Sequence, residues 1–467
     1  MEEKKMTEVF GKLRKRVKIF YGIGDIGNAI VNSAIQFYLM KFYTDGALIL
    51  PALAGNALLI GKFWDAVNDP LFGWLTDKTN SRFGKRRVYM IFGAIPLGIS
   101  IALLWFVPKV DLFWTFFWIA MTFILFDTIW TLTNVPYYAL TSELTDDYDE
   151  RSSLTTYRMV MAVPAYLVGA ALTPAIVGMF AMQRTGYAYI GILYGILAAA
   201  ALLISAAGFR ERKGLKFAPP EASPFKSFGQ ALKNQPFVRL CIIYFSMNIS
   251  FAFCKILMAY FIQYQLLMAN LITPAMGLML ICVTIALPFW RWLGEKMDKG
   301  PVYAIGMGIG AIGILISFFL PHQPTNILFL FAALVGFGFS VNWIFPWAMV
   351  ADVGDIDRAE TGQQRSGMYY GVWGLATKLS EALALAGVGW LLTGFGYVPN
   401  VEQTAHSLLG IRLFFGLIPA ICIFITLPFL YRYPITRKSH AEVRAKLAAM
   451  DASMQTESET DEPVRTI

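Results

Sequence analysis

The string Trp64-Asp65-Ala66-Val67-Asn68-Asp69-Pro70 carries more chemistry than any other part of this 467-residue sequence. On a helix, steps of three and four residues put Asp65, Asn68 and Asp69 on one face. Two carboxylates one turn apart repel each other unless a cation lies between them or one of them is protonated. With an amide oxygen beside them, they form a cluster of hard oxygens suited to a small hard cation such as Na⁺, or to a proton. Pro70 lacks an amide donor and so frees a carbonyl one turn earlier. Thr131 can add a hydroxyl, and Asp127, one turn before it, is a further acid without an assigned role. The competing reading pairs Asp65 and Asp69 with Lys62, Arg158 or Lys378 for the sake of the fold alone. The residues by themselves leave both open.

The cations Arg158 and Lys378 can act as counter-ions to those acids, as hydrogen-bond donors to a solute, or as both in alternating states. Lys255 and Glu381 are further charges in apolar surroundings, and Glu381, three residues after Lys378, is placed to neutralise it. Tyr138 and Trp343 each stand near a helix-breaking proline, where a flat ring beside a polar pocket suits the apolar face of a sugar; core packing is the alternative.

The surroundings make these residues informative. Hydrophobic residues are 57% of the chain and charged residues 15%, against roughly 25% charged in soluble domains. Runs such as Val88–Val107, Ala188–Gly208, Tyr303–Leu320 and Leu413–Leu430 match the thickness of a hydrocarbon core. An ionisable group at the centre of such a run costs on the order of 3 kcal/mol on insertion, so it faces the bundle interior and has a purpose. Dividing the chain at charged or Pro/Gly-rich breaks predicts about twelve membrane-spanning helices, near 19–43, 51–76, 88–107, 112–141, 154–180, 187–208, 237–267, 273–294, 301–320, 326–351, 366–393 and 407–431. The fold class is therefore an all-α membrane protein, since each span must satisfy its own backbone in lipid.

Cations crowd alternate connections, at Lys12–Lys18, Lys78–Arg87, Arg210–Lys216, Arg291–Lys299, Arg358–Arg365 and Arg432–Lys446. That asymmetry places both termini in the cytoplasm, with 1–18 a cytoplasmic lead-in and not a signal peptide. The net charge of +8 is thus a matter of topology and not a nucleic-acid patch. The segment 209–236, charged and containing Pro219, Pro220 and Pro224, reads as a cytoplasmic linker between halves 19–208 and 237–431. The halves echo each other. Asn134-Val-Pro-Tyr-Tyr-Ala-Leu-Thr-Ser-Glu143 resembles Ile344-Phe-Pro-Trp-Ala-Met-Val-Ala-Asp352, and Phe63-Trp64 resembles Phe289-Trp290, as in a duplicated bundle. In the tail, 432–467, Ser439-His-Ala-Glu442 forms a capping box predicting a short helix to about Met450.

Catalysis finds little footing. The three histidines are scattered, the four cysteines all lie in apolar segments, and no Walker-type loop appears, so neither an enzyme nor a resident cofactor is expected.

The strings Tyr21-Gly-Ile-Gly-Asp25, Phe42-Tyr-Thr-Asp45, Trp64–Pro70, Asp77…Arg82-Phe-Gly-Lys-Arg-Arg87, Val135-Pro-Tyr137, Glu150-Arg151 and Asp352…Thr361-Gly362…Arg365 resemble the glycoside–pentoside–hexuronide:cation symporters, the melibiose-carrier branch of the major facilitator fold. The resemblance runs from about 17 to 433. It implies two six-helix bundles around one cavity, working by alternating access. It also implies a cation site at Asp65, Asn68, Asp69 and Thr131, and a solute pocket that includes Arg158, Lys378 and Trp343. The sequence departs from the family pattern where Ala29 and Asn134 replace sugar-binding acids, Asn28 replaces a lysine and Tyr138 a tryptophan. Asn28, Asn134 and Tyr138 are kept as pocket candidates. Pro136-Tyr-Tyr-Ala-Leu-Thr141 and Tyr157-Arg158-Met159 are similar also to vertebrate sodium-coupled lysophosphatidylcholine carriers.

The expected protein is accordingly a monomeric carrier in the inner membrane that moves a small solute, a sugar or alternatively a lysolipid, with Na⁺ or H⁺. A sensor or scaffold that keeps the fold without transport is the reading from another class.

Overall fold

The computed structural model describes residues 8–9, 12–79, 81–145, 148–209, 229–362 and 366–460. Most of the linker expected at 209–236, Arg365, and parts of both terminal segments lie outside them. After a two-residue antiparallel pairing of Glu8–Val9 with Lys12–Leu13, the described chain is helical. The first bundle comprises α1 (Lys15–Ala34, prolonged by π-helical turns Ile35–Leu39 and Phe42–Gly46), α2 (Pro51–Lys78), α3 (Arg87–Leu104), α4 (Leu112–Leu144), α5 (Tyr148–Val177) and α6 (Gln183–Gly208). The second comprises α7 (Gln235–Tyr260, continued by the π turn Phe261–Gln265), α8 (Ile272–Lys296), α9 (Lys299–Phe318), α10 in two pieces (Ile327–Phe339 and Phe345–Thr361), α11 (Ser366–Gly394) and α12 (Ala405–Arg412 and Ile418–Tyr431, joined by the π turn Leu413–Leu417). A final helix, α13, spans Arg437–Thr460.

Local chemistry explains several boundaries. Pro51 opens α2 in its first turn, where its missing N–H goes unused. The side chains of Asn234 and Thr404 accept from Phe237 N and Ser407 N and so cap α7 and α12. The single span expected at 326–351 is interrupted: a 3₁₀ turn, Ser340–Trp343, stands before the second piece, and Pro346 occupies that piece's first turn. Proline cannot continue the preceding hydrogen-bond ladder, so the chain restarts there and turns Asn342 and Trp343 inward. The tail also departs from expectation. Its helix begins at Arg437 because Thr436 caps it, with Thr436 and Ser439 bonding reciprocally through Ser439 Oγ and Thr436 Oγ1.

Ten helices among the described residues are long and apolar enough to cross a bilayer. The first two crossings, α1 and α2, fall short of that composition because they carry the polar residues of the interior. They are enclosed by their neighbours: α1 packs on α5 and α6, and α2 on α4. Across the midline α2 packs on α11 and α5 on α8, a symmetric pair of contacts joining the bundles. The α2–α11 approach depends on glycine. A Cβ on Gly389 would sit 2.3 Å from Pro51 O, and small residues permit such close backbone contact between membrane helices.

Candidate functional site

The face of α2 read from spacing is the face turned to α4 and α11. Lys378 Nζ of α11 lies 2.5 Å from Asp65 Oδ1 and 2.5 Å from Asp69 Oδ2. Lys62, one turn earlier on α2, reaches the other oxygen of Asp65 at 3.3 Å. Thr131 Oγ1 of α4 donates to Asp69 Oδ1 at 3.0 Å. Asn68 Nδ2 donates to Asp127 Oδ2 at 2.8 Å, while Asn68 Oδ1 is buried with no hydrogen-bond partner among the described residues. A buried carbonyl oxygen without a donor costs on the order of 1–3 kcal/mol, so an orphan of this kind points to something that visits it.

The four predicted oxygen-bearing side chains are thus brought together, and a lysine ammonium sits between the two carboxylates. Two lysines, Lys62 and Lys378, thus stand among three acids, Asp65, Asp69 and Asp127. Exposure is graded: the Asp65 side chain is 6% exposed and that of Asp69 40%. Asp65 is therefore the enclosed carboxylate of the pair and Asp69 the one more open to its surroundings.

Beside this cluster lies a cavity of about 500 Å³ lined by both bundles. On α1 it is lined by Asp25, Asn28, Ala29, Asn32 and Gln36, one stripe along a single helix. Tyr138 and Trp343 line it as expected from their types, and Trp343 meets Tyr166 edge to face at 5.4 Å. The other candidates stand differently. Arg158 is held by Asp25, its Nε 3.4 Å from Asp25 Oδ2 but without the alignment of a hydrogen bond, so that donor is unused. Its guanidinium lies 4.8 Å over the Tyr138 ring. Asn134 lies behind Asn28 and accepts from its Nδ2; both are buried. Lys378 belongs to the α2 cluster and not to the cavity lining, although its neighbour Thr377 does line the cavity.

Of two further candidates, Asp25 was not singled out by the sequence reading and Asp127 was noted there without a role. Asp25 accepts from Tyr138 Oη at 3.2 Å and faces the cavity. It stood in the string Tyr21–Asp25 and had a signal, because Arg158 needed a buried acid. Asp127 completes the shell around Asn68. Two helices serve both places. α4 presents Asp127 and Thr131 to the cluster and Trp130 and Tyr138 to the cavity, while α11 presents Lys378 to one and Thr377 and Glu381 to the other.

The MFS/sugar transport protein model matches residues 20–437. The chain is 30% identical to an Escherichia coli protein named "Putative sulfoquinovose importer", over 92% of this chain and 93% of that one. It is 26% identical to the sodium-dependent lysophosphatidylcholine symporter 1-B of Danio rerio, covering 95% and 91%. In fold it is similar to a bacterial homologue of the human lysosomal transporter Spinster in an inward-facing, unoccupied conformation, with a TM-score of 0.66 at 10% identity, covering 92% and 97%. The chain belongs to the MFS/sugar transport family, the glycoside–cation symporters of the major facilitator superfamily. It is an integral membrane transporter.

Proposed function

We propose that the protein is a cation-coupled symporter of a small polar solute, a glycoside, pentoside or hexuronide, with Na⁺ or H⁺ as the driving ion. One observation carries the reading: the Lys378 ammonium occupies the seat between Asp65 and Asp69, beside the orphan oxygen of Asn68. An arriving cation takes that seat, with Asn68 Oδ1 and the Thr131 hydroxyl as further ligands, and displaces Lys378. The freed α11 then favours the solute-bound arrangement of the two bundles, shifting inward- and outward-facing populations. The solute cavity offers neutral amides on Asn28, Asn32, Asn248 and Asn342 and the aromatic faces of Tyr138 and Trp343, the mixture that hydroxyl-rich rings require. Basic connections support cytoplasmic termini.

The test is uptake in reconstituted vesicles with and without a sodium or proton gradient, comparing wild type with Asp69→Asn. Gradient-driven uptake that survives the substitution ends the assignment.

A second reading, an amphipathic cargo, has its own observation. A small apolar recess lined by Phe37, Met279, Val335 and Phe339 adjoins the cavity and shares Tyr166, Phe251 and Trp343 with it. Its free volume is only about 10 Å³, so an acyl chain requires it to widen. Thermal stabilisation by a panel of sugars and lysolipids separates the two.

A further inference from the structure

The symport reading employs Asp65, Asp69 and Lys378 and leaves a second charged cluster in the cavity without a task. Lys255 of α7 and Glu381 of α11 both line the cavity, and Gln36 of α1 joins them. Lys255 Nζ donates to Gln36 Oε1 at 2.7 Å, yet Glu381 Oε1 stands 3.8 Å away. Gln36 Oε1 also accepts from Tyr166 Oη at 3.0 Å, so it is shared between two donors. The ammonium lies 4.9 Å from the Phe251 ring centroid. Side-chain exposure is 7% for Lys255 and 25% for Glu381. Lys378, by contrast, has two carboxylate oxygens at 2.5 Å. Taking a charge out of water costs several kcal/mol and is offset only by close, well-formed contacts. Lys255 is a buried cation whose charge is half met, with open cavity in front of it.

We infer that Lys255 anchors an anionic group of the solute, the carboxylate or sulfonate of a charged glycoside, and that Glu381 is its resident counter-ion in the empty carrier. The inference rests on the symport reading and narrows its cargo. It also ties the cargo to the ion. Glu381 follows Lys378 by three residues, one turn along the same helix, and Lys62, Lys255 and Glu381 interact electrostatically. When a cation takes the seat between Asp65 and Asp69, the displaced Lys378 ammonium is one turn from Glu381. Pairing those two leaves Lys255 without a carboxylate, a vacancy that an anionic solute fills and a neutral one does not. Ion and anionic solute then each strengthen the binding of the other, reciprocally as linkage requires.

The experiment measures calorimetric binding of methyl β-D-glucuronide and methyl β-D-glucoside, which differ in one carboxylate, to the purified full-length protein in Na⁺ or choline buffer. Wild type in Na⁺ binds the glucuronide tighter by about tenfold or more, the scale of a charge-assisted hydrogen bond. Lys255→Gln erases that preference, Lys255→Arg keeps part of it, and Glu381→Gln lifts glucuronide affinity in choline towards its Na⁺ value. Equal affinity for the two glycosides in wild type, or an equal loss of both in Lys255→Gln, overturns the inference. If Na⁺-dependent binding of the glucoside is intact in that case, the symport reading stands alone. Binding of neither glycoside also overturns the inference, and if neither Na⁺ nor a change of pH then shifts the melting temperature, the symport reading falls with it.

Discussion

Tyr397, in the turn after α11, donates its hydroxyl at 2.5 Å to Asp45 at the far end of α1. Tyr264 of the second bundle donates to the other carboxylate oxygen at 2.7 Å, and Asn400 Nδ2 donates to the Asp45 main-chain oxygen at 2.7 Å. Lys41 pairs with the same carboxylate at 2.7 Å. Asp45 is 2% exposed. At the end opposite the termini, a buried carboxylate of one bundle is therefore held by two hydroxyls of the other.

This latch should dominate closure of that end. Asp45→Asn leaves the buried Lys41 ammonium without a carboxylate, a loss of about 3–5 kcal/mol, whereas Tyr397→Phe removes a single hydrogen bond to a charged group, about 1.5–3 kcal/mol. Melting temperatures of the purified variants should fall in that order. Three equal melting curves would show that the contact contributes nothing to the closed state.

Lys378 and the coupling ion compete for one seat. Lys378→Gln should tighten Na⁺ binding by about tenfold, because an ammonium no longer has to be displaced, while solute uptake loses its dependence on the gradient. Asp65→Asn should abolish ion binding altogether, as the less exposed of the two carboxylates. Sodium titrations followed by melting temperature or calorimetry read both effects. Weaker Na⁺ binding in Lys378→Gln would mean that the lysine supports the ion site and does not contest it.

Asp25 holds Arg158 and Tyr138 at the cavity wall. Asp25→Asn removes the counter-ion of a mostly buried guanidinium, so Arg158 should turn away or bind solute without control. The expected result is a KM for uptake raised by about tenfold, with Na⁺-dependent stabilisation intact, since the α2 cluster is separate. A parallel loss of Na⁺ stabilisation would merge the two sites into one.

Much of this site was legible because helical spacing fixes which residues share a face. Asp65, Asn68 and Asp69 do share one, and Thr131 does meet them. Spacing says nothing about which helix lies opposite. Lys62, Arg158 and Lys378 were equal candidates for the acids; two of them are there, and Arg158 belongs to Asp25. Apolar runs likewise located α8 and α9 to within two residues, at Ile272–Lys296 and Lys299–Phe318, because lipid imposes their length. The break in α10 was only half legible: Pro346 was read as helix-breaking, as was Pro136, which lies inside a continuous α4, and a proline can kink a helix or start one. Only the inward placement of Asn342 and Trp343 decides that.

Gly389 offers a way to hold the two bundles apart at the latch end without touching either site. The backbones of α2 and α11 meet there, with Ala52 N donating to Thr393 Oγ1 at 2.9 Å and Trp390 Nε1 to Asn56 Oδ1 at 2.8 Å. A side chain at Gly389 would collide with Pro51 O, a backbone atom that cannot step aside. Gly389→Val should therefore cost the closed arrangement about 1–3 kcal/mol, biasing the carrier towards the state open at that end. Transport slows because the cycle needs both states, whereas Na⁺ still raises the melting temperature, because α2, α4 and the mid-helix part of α11 are unchanged. Labelling of a Thr393→Cys probe by an impermeant thiol reagent, in a background lacking the four native cysteines, should quicken in the Gly389→Val protein. Unchanged labelling with normal uptake would show that the glycine contact opens and closes at no energetic cost, and that closure of this end resides in Asp45 and its partners alone.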